Sequence, residues 1–139
     1  MSLTYSEAVD DIKSIVHTAW ETTGNPPIHW ESVKTDRSDS ELAWMTFVTR
    51  HSTGSQTSLG GIGNRIFERS GLAIASIFSP IGKDLSESYL LAKVVADAYE
   101  GQTSENGVWF RNVRIQEIGR DGQFYHLNVL VDFEYTETK

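Results

Sequence analysis

The chain has no cysteine, which excludes disulfides, a thiolate nucleophile and thiolate-held zinc, and removes any sign of an oxidising compartment. Its three prolines and eleven glycines are too few for a collagenous or low-complexity chain. No apolar run approaches the roughly 18 residues that a spanning helix needs. The opening MSLTYSEAVDD carries acids where a secretion signal carries bases, so membrane insertion and export are not expected. Positive charge is also scarce. Twelve Lys plus Arg against nineteen Asp plus Glu leave a net charge of -7, which repels a phosphate backbone and argues against sequence-specific nucleic-acid binding.

What is present is globular. Hydrophobic residues at 39% and charged residues at 22% are proportions that fold, and 139 residues suit one domain, 1–139, with one core. From Tyr5 to Glu21 apolar residues recur at Tyr5, Ala8, Val9, Ile12, Ile15, Val16, Ala19 and Trp20, the period of a helix. Thr4 with Glu7 forms a capping box, and Gly24 before Pro26 and Pro27 offers a stop. Ile28 to Trp30 predicts a short edge strand, followed by a polar loop from Lys34 to Glu41. Leu42 to His51 is β-branched and aromatic, hence a strand. Ser52 to Asn64 (STGSQTSLGGIGN) has four glycines and no hydrophobic period, so a mobile loop is expected at 52–64. A central strand follows over Ile66 to Phe78, then a turn at Ser79 to Gly82. Asp84 and Glu87 cap a second helix that ends at Gly101, with Leu85, Tyr89, Ala92, Val95, Ala96 and Tyr99 on one stripe.

Val108 to Ile118 and Phe124 to Tyr135 predict a long C-terminal hairpin. In the second run Tyr125, Leu127, Val129, Val131, Phe133 and Tyr135 alternate with mostly polar residues, so one face is core and the other wet. Keeping odd residues opposite odd ones rejects a two-residue turn and favours a three-residue loop, Arg120-Asp121-Gly122, with Gly122 left-handed. That register sets Ile115 opposite Leu127, Val113 opposite Val129, Arg114 opposite Asn128 and Gln116 opposite His126. Trp109 and Phe110 are both apolar, which fits either a bulge or burial on both sides. The expected fold class is α+β, a mostly antiparallel twisted sheet with two helices packed on one face.

Chemistry-bearing motifs are weak. His17, His29, His51 and His126 fall on separate elements without ligand spacing, so no metal or cofactor is expected. Gly60-Gly61-Ile62-Gly63-Asn64-Arg65 lacks the helix and the Lys-Ser or Lys-Thr pair of a phosphate loop. Thr53-Gly54-Ser55-Gln56 lacks the second glycine of a nucleophile elbow, and paired acids such as Asp10 and Asp11 sit at a helix start rather than in a cleft. No catalytic residue is expected.

The segments IHWESV (28–33), WMTFVTRHSTGSQTSLG (44–60), ERSGLAIASIFSPIGKD (68–84) and GVWFRNVRIQEIGRDGQFYHLNVLVDFEY (107–135) give the chain a second kind of signature. In their order, with an opening helix, a Phe-x-x-Arg-His strand end, an Arg-x-Gly-Leu strand start and a final Asp-Phe-Glu-Tyr, the chain resembles the phage tail terminator-like family over nearly its whole length. The resemblance implies a non-enzymatic, prophage-encoded structural subunit. Such a subunit forms a ring with copies of itself, a hexamer in the assembled tail, and is compatible with a monomer in solution. The ring caps the tail tube protein, ends polymerisation and meets the head connector. It also implies a place in the host bacterial cytoplasm during assembly and in the virion tail afterwards. A head-tail connector (neck) protein is the alternative, with a small-molecule-binding domain or enzyme third. In this setting the candidate assembly loop is Ser52, Thr53, Gly54, Ser55, Gln56, Leu59, Gly60, Gly61, Ile62 and Gly63. The candidate lumen or subunit-contact face is Arg114, Gln116, His126 and Asn128.

Overall fold

Ala8, Ile12, Val16 and Trp20 stand four residues apart and form the buried stripe of α1 (Tyr5–Glu21), whose apolar face is thereby committed to the core. At its start the Thr4 hydroxyl accepts from the Glu7 N–H and the Glu7 carboxylate accepts from the Thr4 N–H, 3.4 and 3.0 Å, so the expected capping box is present. The computed structural model describes residues 3–24, 28–30, 43–81, 85–122 and 124–139. The expectations made for Pro26, Pro27, Lys34 to Glu41, Leu42, Gly82 and Asp84 lie outside these residues.

Five strands follow the order β1-β2-β3-β5-β4. β1 (His29–Trp30) runs parallel to β2 (Trp44–Gln56), whereas β3 (Ile66–Pro80), β4 (Trp109–Asp121) and β5 (Phe124–Thr138) make the antiparallel remainder. The fold is therefore α+β, with a mostly antiparallel sheet. Odd-numbered residues of the long strands point to one side: Met45 and Phe47 from β2, Ala73, Ala75 and Ile77 from β3, and Leu127 through Tyr135 from β5 are all buried there. They share a single core with the α1 stripe and with Leu91, Ala92, Val95, Ala96 and Tyr99 of α2 (Leu85–Tyr99). Each large side chain fully buried in this way contributes about 1.5–3 kcal/mol.

The two helices are pinned to each other through polar contacts. The buried Tyr99 hydroxyl donates to the Ile12 carbonyl at 2.6 Å, and burial pushes its pKa far above that of an ordinary phenol, so it always carries its proton. Asp11 on α1 accepts from the Ser104 hydroxyl (2.6 Å) and from the Asn106 side-chain amide (2.7 Å) and N–H (3.2 Å), which holds the α2–β4 connection against the first helix. Tyr89, expected on the α2 stripe, is instead 38% exposed, and Leu91 takes a core position. The Tyr89 hydroxyl turns towards Tyr125 and Glu117, and the Tyr125 hydroxyl is the first cause of its raised pKa.

The terminal hairpin departs from the expected register. Asp121 pairs with Phe124, so the connection is the two-residue 122–123, with Gly122 at φ 60°. Parity is restored one turn later by an extra residue, Ile118, bulged between the Glu117–Leu127 and Gly119–His126 pairs. Ile115 then faces Val129, Gln116 faces Asn128 and Arg114 faces Leu130, two residues away from the pairing that the expected three-residue loop dictates. A second bulge between Arg111 and Arg114, with Asn112 at φ 49°, shifts the phase again. This settles the Trp109–Phe110 question: Phe110 is buried against Tyr99 at 4.8 Å, while Trp109 lies on the opposite side and is 57% exposed.

Candidate assembly surfaces

β2 does not stop at His51. After a bulge between His51 and Thr53, the residues Thr53, Gly54, Ser55 and Gln56 pair in turn with Ser70, Arg69, Glu68 and Phe67. β3 continues in register with β5 as far as Ile66 opposite Thr138. The segment expected as loop from Ser52 therefore starts at Thr57, and its first part is ladder. Glycine and serine at these positions read as loop, but a strand flanked by β3 does not need its own hydrophobic period.

The resulting arm has a closed tip. Thr57 N–H donates to the Ile66 carbonyl at 2.8 Å and Ile66 N–H to the Ser58 hydroxyl at 2.9 Å, while Arg65 and Lys139 exchange backbone bonds of 3.2 and 2.9 Å. Asn64 N–H donates to the Gly61 carbonyl at 2.9 Å. Of the sequence-designated residues in this loop, Leu59 and Ile62 present their side chains to solvent, at 103% and 88% exposure.

At the root of the arm stands Arg69, buried on the helix side of the sheet. It reaches over Gly54, where a Cβ would come within 2.4 Å of its Nη1, so Gly54 is glycine because the guanidinium occupies the space of a side chain. Arg69 pairs with Glu137 at 3.1 Å and lies over the rings of Tyr5 and Phe67, at 5.2 and 5.1 Å. Beside it, His51 stacks on Tyr5 at 4.2 Å, and its Nε2 shares a 2.7 Å hydrogen bond with the Tyr135 hydroxyl. Burial first, and the Arg69 charge second, hold the His51 pKa below its ordinary value. Burial pushes that of Tyr135 up to about 12. Gly71, opposite His51, fits because a Cβ there would meet the Arg50 carbonyl at 2.2 Å and the Phe133 ring at 2.7 Å.

The second surface is the side of the sheet opposite the helices. Arg114, Gln116, His126 and Asn128 all fall on it, as expected, though in the shifted register. Ser76 donates to Asn128 at 2.8 Å, and Arg114 reaches Asp132 at 3.5 Å beside the Arg111–Glu134 ion pair. His126 is not a solvated polar residue: it stacks on Phe78 at 4.2 Å, and its Nε2 is buried without a hydrogen-bond partner among the described residues. Phe78 in turn stacks on Trp44 at 4.1 Å, and Phe124 meets Trp44 edge-on at 5.8 Å. The face thus divides into an aromatic end and a charged end, where the alternation of β5 predicted a mostly polar, wet face. The signal in the sequence was the even-numbered Phe124, Phe78 and Trp44.

Among the described residues no three His, Asp or Glu side chains converge as metal ligands, and no helix is long and apolar enough to cross a membrane. No protein-family model matches the chain, and no curated protein matches it. Solved structures share its fold: one, a protein whose designation states no activity, superposes with a TM-score of 0.64 at 12% identity, over 90% of this chain and 93% of its own. At that identity the likeness speaks for the fold alone.

Proposed function

We propose that the chain is a structural subunit of a phage tail, a tail terminator-like protein that assembles as a ring on the end of the tail tube and offers the joining surface to the head. The observation that carries this reading is the arm. A braced hairpin that ends in Leu59 and Ile62, both directed at solvent, spends stability on apolar exposure that a solitary globule has no reason to keep. A contact between this tip and a different patch on the next copy is heterologous, the kind of contact that closes rings. The residue order that resembles the terminator family supplies the phage setting, and the α+β fold accords with it. The partners under this reading are further copies of the chain, the tail tube protein and the head connector, with no bond-making chemistry.

The deciding experiment is tail assembly with and without this gene product. Loss of the protein yields tails of unregulated length that fail to join heads; normal tails in its absence overturn the proposal. Co-sedimentation with purified tail tubes against connector rings separates a terminator from a neck protein.

A further inference from the structure

We propose that His51 is a proton-sensitive latch tying the first turn of α1 to the root of the β2–β3 arm, closed while the imidazole is neutral and released when it is protonated. The inference is independent of which ring, if any, the arm serves.

The site is built from four elements. From β2 comes His51, the last residue before the bulge that begins the arm. From α1 comes Tyr5, the first helical residue, its ring parallel to the imidazole within 18°. From β5 come Phe133, edge-on at 5.2 Å, the Tyr135 hydroxyl and the Glu137 carboxylate; from β3 comes Arg69. The titratable or charged groups that these elements bring to the site are Tyr5, Arg69, Tyr135 and Glu137. Glu137 is already bound to Arg69, both side chains being only 15% and 10% exposed, and Glu7 on α1 is engaged at the Thr4 cap. An imidazolium at this point would therefore meet no free anion among the described residues.

Two positive features oppose it. One is the Arg69 guanidinium, which lies over the same Tyr5 ring that His51 stacks on. The other is the N-terminal end of α1, where unpaired N–H groups give the helix its positive pole. The hydrogen bond adds direction. Tyr135 holds its proton throughout the physiological range; in the tautomer that leaves Nε2 bare its hydroxyl donates to that nitrogen, so protonating Nε2 there replaces an acceptor with a second donor and forces the phenol to turn. The least costly escape is to lift Tyr5 away and admit water. The neighbouring tie, Leu3 N–H to the Thr136 carbonyl at 3.1 Å, lies on the same stretch and opens with it.

Amide exchange by mass spectrometry between pH 7.5 and 5.0, corrected for the intrinsic rate, tests the latch on the full chain. Peptides covering 3–12 and 50–58 are expected to lose protection as the pH falls, while β5 core peptides hold theirs; each unit by which His51 titrates below a free imidazole corresponds to about a tenfold change in opening. His51→Gln, which keeps a hydrogen-bonding side chain and cannot charge, is expected to flatten the response. Carbon-bound imidazole protons followed by NMR in the wild-type protein give a second reading that needs no variant, and the His51 midpoint is expected to coincide with the opening. A wild-type response surviving in His51→Gln, a uniform loss of protection that includes β5, or a His51 titration unaccompanied by opening each overturns the proposal.

Discussion

At the residue scale the close approaches are decided by single atoms. A methyl at Gly71 has backbone on one side and the Phe133 ring on the other, so neither can retreat as a flexible side chain would. Gly71→Ala is expected to destabilise the fold by about 1–3 kcal/mol, read as a lower urea midpoint without a change in slope. Gly54→Ala meets the mobile end of Arg69 instead and is expected to be the milder of the two. Tyr99→Phe removes the hydroxyl that donates to the Ile12 carbonyl, for which a loss of about 1 kcal/mol is expected in the same measurement. The titration of His51 has a definite sign. A folded pKa held below the unfolded value makes stability full above the unfolded value and erodes it as the pH falls, so the arm root weakens in acid and not in base.

At the scale of elements, one ion pair ties β3 to β5 at the root of the arm. Arg69 and Glu137 are both mostly buried, so Arg69→Ala leaves an uncompensated carboxylate and is expected to cost about 3 kcal/mol. The double variant Arg69→Leu with Glu137→Leu is expected to recover most of that loss, and failure to recover in thermal unfolding would show that the cation-over-ring contacts with Tyr5 and Phe67 matter more than the charge pair. The elements themselves were largely legible. α1 announced its cap, its stripe and its end, because a helix is specified by residues three and four apart. The hairpin was legible in extent and misread in register, because a bulge changes strand parity without leaving a residue type that marks it; Ile118 looks like any other strand residue. The inner half of the arm was read as loop because Ser52 to Gln56 lack a period of their own, and only the partner strand shows that they are paired.

For the whole molecule, the two surfaces make separable predictions. Leu59→Ser with Ile62→Ser should leave the unfolding midpoint unchanged within about 0.5 kcal/mol, since neither side chain is buried, and, under the proposed ring assembly, abolish ring formation by analytical ultracentrifugation in the presence of tail tubes. Unimpaired rings would remove the arm tip from the interface. On the other face, Arg114→Glu reverses a charge beside Asp132 and is expected to impair either head joining or tail-length control, as counted by electron microscopy of assembled particles. The candidate residues on this face were legible because alternation assigns sides, but the aromatic end around Trp44 and Phe78 became visible only when β2, β3 and β5 were set side by side.

The sequence by itself determined the α+β class, the two helices, the long terminal hairpin and the division of β5 into a core side and an outer side, because all of these follow from periodicity and local capping within one stretch of chain. Tertiary structure decided the sheet order, the register around three bulges, the length of the arm and the assembly of Tyr5, His51, Arg69, Tyr135 and Glu137 at its root. Those residues come from four elements as far apart as 132 positions, and no local rule connects them; they meet because a shared sheet and one helix end bring them to the same place.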